Sequence, residues 1–217
     1  MPVRPVESLG PGCGCYARAA RNGTCAPRPR FPATAALSSS TVSGAIQVRR
    51  LPGLGEPEIA GLAEVLNDCV HGGASVSFML PMSLPKAAAY WRGVAAQVAL
   101  GESLVLAAFD AGAIIGTATL ILKQPENQPH RADLAKMLVH RRARRRGVGA
   151  ALLQAAEAEA LAAGRSLLVL DTASADAERV YARGGWVRLG EIPDYALWPA
   201  GGYCATSVFY KQLRRAP

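Results

Sequence analysis

The chain has 217 residues, 50% apolar and 18% charged, which suits one globular domain with a full core and excludes a disordered or fibrous protein. No stretch approaches the ~18 consecutive apolar residues that a membrane-spanning helix requires, so no membrane partner is expected. The net charge of +8 suggests an anionic partner, but about half of it lies in residues 1–45, where Arg4, Arg18, Arg21, Arg28 and Arg30 face only Glu7. That uneven distribution weakens a nucleic-acid reading and leaves a phosphate-bearing small molecule.

Residues 1–44 are rich in Pro, Gly, Ser and Arg and are expected to be a disordered basic extension of a domain spanning 45–214. Ala45 to Leu51 alternates as a strand. Pro57 to Val70 reads as a helix with Ile59, Leu62, Leu66 and Val70 on one face, ended by Gly72 and Gly73. An apolar loop covers 74–83, and Pro85 opens a second helix to about Val98. Leu104–Phe109 and Ile114–Leu122 read as strands joined by a turn at Asp110-Ala111-Gly112. After a polar loop come a strand from Asp133 to His140 and a helix from Gly147 to Ala163, stopped by Gly164. Leu167–Asp171 reads as a central buried strand. Asp176–Arg183 is a helix, and Trp186–Leu189 and Ala205–Gln212 are the last two strands. The order is mixed α/β.

Cys13, Cys15, Cys25, Cys69 and Cys204 are odd in number and irregularly spaced, so neither a disulfide framework nor a metal site is expected. Reduced cysteines and the lack of a secretory apolar core point to a cytoplasmic protein.

The most informative stretch is Val139 to Leu153, VHRRARRRGVGAALL. An apolar strand runs into an Arg-rich turn with Gly147 and Gly149 and continues as an Ala/Leu helix. Backbone N–H groups bared by glycine at the positive end of a helix form an anion site suited to a pyrophosphate. A dinucleotide-binding turn requires a third glycine where Leu152 stands, and a Walker loop requires Gly-Lys-Ser/Thr; both patterns fail. A plain alternative is a helix start with small residues for packing. A nucleic-acid site at Arg141–Arg146 would require interleaved aromatics or a recognition helix, and neither is present.

The spacing Arg144-x-x-Gly147-x-Gly149-Ala150, with the flanks HRADLAKMLV and LLVLDTASADAERVYARGGW, resembles the GNAT superfamily of acetyltransferases over roughly residues 46–213. The tail IPDYALWPAGGYCATSVFYKQL resembles its tabtoxin-resistance branch. The resemblance implies a GNAT fold: a central, mixed, mostly antiparallel sheet of six to seven strands, splayed between the fourth and fifth, flanked by about four helices. It implies acetyl-CoA as co-substrate. The backbone of Leu138 and Val139 would hold the pantetheine arm, and the amides of Arg144, Arg145, Arg146, Gly147, Val148, Gly149 and Ala150 the pyrophosphate. Ser174 stands where the family often has an Asn touching that arm.

Acetyl transfer also requires a base for the acceptor and an acid for the leaving thiolate. The resemblance gives the acid role to Tyr181 and makes Asp171 and Asp133 candidate bases. An ion pair with Arg131 or Lys136 is the rival role of Asp133, and helix capping that of Asp171. His140 reads as an exposed loop residue. The acceptor pocket is expected between the 74–83 loop and the last hairpin, with Phe78, Trp91, Tyr195, Trp198 and Tyr203 as aromatic candidates. The expected function is transfer of acetyl to the amine or hydroxyl of a small molecule, such as an amino-acid-like antibiotic, by a monomer or homodimer. The alternative is a silent GNAT-fold module that senses acetyl-CoA.

Overall fold

The computed structural model describes residues 46–213. The basic extension, with Cys13, Cys15 and Cys25, lies outside the described residues. The chain runs β1 (Gln47–Leu51), α1 (Glu56–His71), α2 (Leu84–Ala99), β2 (Ser103–Asp110), β3 (Ala113–Ile121), β4 (Arg131–Val139), α3 (Val148–Ala162), β5 (Leu167–Thr172), α4 (Ala175–Arg183), β6 (Val187–Leu197) and β7 (Tyr203–Gln212). A short 3-10 turn at Arg141–Ala143 lies between β4 and α3.

The seven strands form one sheet in the order β1-β2-β3-β4-β5-β7-β6. Neighbours are antiparallel except β4 and β5, which run parallel. This is the architecture anticipated above, a mixed and mostly antiparallel sheet of seven strands flanked by four helices. Alternation along the central strands sends residues to two cores. Leu104, Leu106 and Ala108 of β2 join Leu152, Leu153 and Ala156 of α3 on one side. Val105 and Ala107 meet Leu62, Leu66 and Trp91 of α1 and α2 on the other. Burial of these apolar faces, at ~25 cal/mol per Å², is the main force holding the helices to the sheet. Gly116 of β3 lets α3 sit close: a Cβ there would stand 2.9 Å from the Leu138 carbonyl oxygen and 3.0 Å from Leu152.

Two expectations need correction. β6 does not stop at Leu189 but continues to Leu197. Gly190 and Pro193 look like breakers, but β6 is an edge strand, where a missing N–H can be spared. An irregularity between Ile192 and Ala196, with Asp194 at φ 51°, absorbs the extra residues. Trp91 is not a pocket residue either. It is fully buried because α2 turns that face onto α1.

Candidate active site

β4 and β5 pair only through Arg131–Leu167, Ala132–Leu168 and Asp133–Val169. Beyond that rung β4 continues to Val139 and β5 to Thr172 without pairing to each other. The sheet is therefore split by a gap whose β4 wall is an unpaired strand edge. Leu138 and Val139 lie on that wall, held from behind by Thr117 and Gly116 of β3. Unsatisfied peptide groups on such an edge can hydrogen-bond an extended ligand as a further strand would.

β4 also carries a bulge. Thr119 opposes Ala135, but Thr117 opposes Leu138, so Ala118 faces both Lys136 and Met137. The extra residue flips the alternation. Leu134 packs on the α3 side and Leu138 on the α1/α2 side, while Met137 and Val139 return to the α3 side. Lys136 takes a left-handed backbone, φ 47°.

The turn from His140 to Gly147 lies at the mouth of the gap. His140 Nδ1 accepts from the Arg142 amide at 3.2 Å, so this half-buried ring caps the 3-10 turn. Arg145 is left-handed at φ 60°, and Gly147 at φ 79° is the N-cap of α3. Gly147 has no side chain with which to cap the helix. α2 and α4, by contrast, are capped by Ser83, which accepts from Lys86 N, and Ser174, which accepts from Ala177 N. The first amides of α3, at Val148, Gly149 and Ala150, have no intrahelical acceptor and face outward from the positive end of a 15-residue helix. Of the three arginines, Arg146 pairs with Asp110 at 2.8 Å and Arg144 Nε donates to the Val139 carbonyl at 3.4 Å. Arg145 is exposed and has no ionic partner among the described residues.

Tyr181 is 4% exposed, its ring packed 5.7 Å from both Trp186 and Phe209. Burial, reinforced by the negative charge of Asp171, pushes its phenol well above the ordinary range. The phenol thus stays protonated through the neutral range and lies within electrostatic reach of Asp171. The Asp171 carboxylate is exposed and accepts from Thr206 Oγ1 of β7 at 2.9 Å. It does not cap α4; Ser174 does. Asp133 stands at the last paired rung, where Gln124 Nε2 donates to it at 3.1 Å and Arg131 lies at 3.4 Å. Arg131, not Lys136, is its ionic partner.

Beside the gap, the 74–83 loop and the last hairpin are joined. Ser75 Oγ donates to the Leu197 carbonyl at 3.0 Å, and Leu80 N donates to the Pro199 carbonyl at 2.9 Å. Tyr195, Trp198 and Tyr203 of that hairpin remain substantially exposed. Phe78 meets Tyr90, not Trp91, edge-on at 5.3 Å. The parts played by two residues of this region escape the sequence reading. Thr206, the partner of Asp171, looks like any strand threonine. Lys136 leaves one trace, a lone charge interrupting the apolar run LAKMLV.

Residues 80–186 match the model of the Acetyltransferase (GNAT) family. Among solved structures, an N-acetyltransferase from Staphylococcus aureus Mu50 is 15% identical with a TM-score of 0.65, covering 78% of this chain and 99% of that one. An acetyltransferase structure from Salmonella typhimurium, determined with its cofactor acetyl-CoA, is 18% identical with a TM-score of 0.65, covering 80% and 96%. A ribosomal-protein-alanine N-acetyltransferase from Brucella melitensis is 20% identical with a TM-score of 0.64, covering 77% and 99%. At these identities the structures establish the fold. The family match covers residues 80–186, from the end of the 74–83 loop through Trp186.

Proposed function

We propose that this protein transfers the acetyl group of acetyl-CoA to the amine, or hydroxyl, of a small molecule, with the domain of residues 45–214 as the catalytic unit. The observation that carries this reading is the uncapped, glycine-led start of α3 at the mouth of the β4/β5 gap. The amides of Arg144 to Ala150 suit a pyrophosphate. The free β4 edge at Leu138 and Val139 suits an extended amide-bearing arm. Ser174, already used as the cap of α4, keeps a hydroxyl proton with which to meet that arm.

In this reading Asp171 takes the proton of the acceptor, because it is exposed and its contact is a neutral hydroxyl. Amines are mostly protonated at neutral pH, so such a base is required. Asp133 is the second candidate, held more tightly by Arg131 and Gln124. The acceptor nitrogen attacks the thioester carbonyl, the carbon–sulfur bond breaks, Tyr181 supplies a proton to the leaving thiolate, and the proton that the acylated nitrogen then sheds restores the phenol. The apolar packing that keeps Tyr181 protonated also disfavours a bare thiolate beside it. A sensor that only bound acetyl-CoA would need neither the acid nor the phenol.

The tail IPDYAL and its exposed Tyr195 favour the tabtoxin-resistance branch and an amino-acid-like antibiotic as acceptor. The test is a turnover screen with acetyl-CoA across amines, amino acids and antibiotics, beside calorimetry of acetyl-CoA alone. Acetylated product supports the enzyme. Binding without any product supports the sensor, and no binding removes both.

A further inference from the structure

We propose that the Lys136 ammonium binds an oxyanion of the acceptor, so that the acceptor is an amine that also carries a carboxylate or a comparable acid. This deepens the acetyl-transfer reading and rests on it.

The bulge in β4 fixes where Lys136 goes. A lysine at φ 47° is conformationally costly, and such strain persists only where surrounding structure imposes it. Its half-buried side chain reaches the 74–83 loop, where Nζ donates to Ser77 Oγ at 3.3 Å. The ammonium lies 5.6 Å from the centre of the Tyr90 ring and 6.0 Å from that of Phe78. These two rings brace each other edge-to-face. Serine and two aromatic rings hold the ammonium in place, but they do not neutralise it.

Among the described residues no carboxylate lies within ion-pair distance of Lys136. An ammonium has three N–H donors, and one is committed here, to Ser77. Burial lowers its pKa, and the negative charge of Asp171 opposes that shift. Lys136 and Asp171 therefore lie within electrostatic reach of each other. A half-buried cation without a counter-ion is unfavourable until an anion arrives. An acceptor with its amine at Asp171 and its acid at Lys136 would satisfy both charges and place the amine at the mouth of the gap. The loop that carries Ser77 and Phe78 is fastened to the last hairpin by Ser75 and Leu80, so the wall around Lys136 is anchored at two points.

The test uses the full chain, acetyl-CoA, and paired acceptors: L-amino acids with small and large side chains, and the corresponding carboxamides. Product is followed by mass spectrometry and acetyl-CoA affinity by calorimetry. The wild type is expected to favour the acid over its carboxamide by at least about tenfold in kcat/KM, the scale of one charge-assisted hydrogen bond. Lys136→Met should erase that preference, leave carboxamide turnover within about threefold, and leave acetyl-CoA affinity unchanged. Lys136→Arg, which keeps the charge, should retain the preference; it also serves if the methionine variant does not fold. Equal use of acid and carboxamide by the wild type, or an equal loss of both in Lys136→Met, overturns the proposal. Turnover confined to amines without an acid overturns it and leaves acetyl transfer standing. Acetyl-CoA binding without acetylation of any amine overturns both.

Discussion

Asp68 of α1 accepts two hydrogen bonds from Arg141, one from its backbone amide and one from Nε, both at 2.8 Å. The pair fastens the start of the Arg-rich turn to a helix more than seventy residues away in sequence. Burial pushes the Asp68 carboxyl up, but the Arg141 amide and guanidinium together with His140 outweigh it and hold the carboxyl below its ordinary value. A depressed folded pKa stabilises above the unfolded value, ~3.9, and that stability is lost as pH falls through the folded value. Asp68→Asn should therefore lower the Tm at neutral pH, by the equivalent of about 1 kcal/mol given the exposure of Arg141, and flatten the fall of Tm below about pH 4. Thermal melts from acid to neutral pH check this; an unchanged acid limb would contradict it.

Gly149 tests the anion site. A Cβ there would meet Met137 at 3.9 Å, with Val139 and Val180 at 4.0 Å, all ordinary contacts. Gly149→Ala should thus keep the fold and most of the acetyl-CoA affinity. Gly149→Asp places a carboxylate at the helix start, which favours the helix itself by ~0.3–1 kcal/mol but repels a pyrophosphate. Loss of acetyl-CoA binding with an unchanged or higher Tm is expected. Unchanged affinity by calorimetry would remove α3 from the cofactor site.

Tyr181→Phe keeps the ring packed against Trp186 and Phe209 and removes only the phenol. If that phenol protonates the leaving thiolate, kcat should fall more than ~10-fold with acetyl-CoA affinity unchanged. A kcat within twofold of wild type would rule out the role.

Asp171→Asn preserves an acceptor for Thr206 Oγ1, so its Tm should barely move while turnover falls by about 10². Asp133→Asn weakens the contact with Arg131 and should shift the Tm more and turnover less. Steady-state kinetics beside melts separate the two; a larger turnover loss at Asp133 would exchange their roles.

Glu157 predicts a purely structural effect. It accepts from Trp186 Nε1 at 2.8 Å and from Lys211 Nζ at 2.6 Å. Glu157→Ala takes the counter-ion from a half-buried ammonium, which keeps only the Gly184 carbonyl, and the acceptor from an indole N–H, at about 2–3 kcal/mol in urea unfolding, with KM for acetyl-CoA unchanged.

The sequence by itself determined the local elements and the turn. Apolar runs on either side of the Asp110–Gly112 turn, helical spacing from Ile59 to Val70, and glycines at 147 and 149 act through short-range sterics and patterning, which residues a few positions apart can settle. It misplaced the end of β6, because Gly190 and Pro193 break a strand only where both its edges must pair. Tertiary structure alone decided how far β4 and β5 stay paired before they part, that Arg131 and not Lys136 holds Asp133, that Asp171 meets Thr206, and that a bulge aims Lys136 at Ser77 and Tyr90. The contacts of Asp171 with Thr206 and of Lys136 with Ser77 join segments far apart in the chain. They are set by sheet register, and a shift of one residue in register sends every side chain to the opposite face.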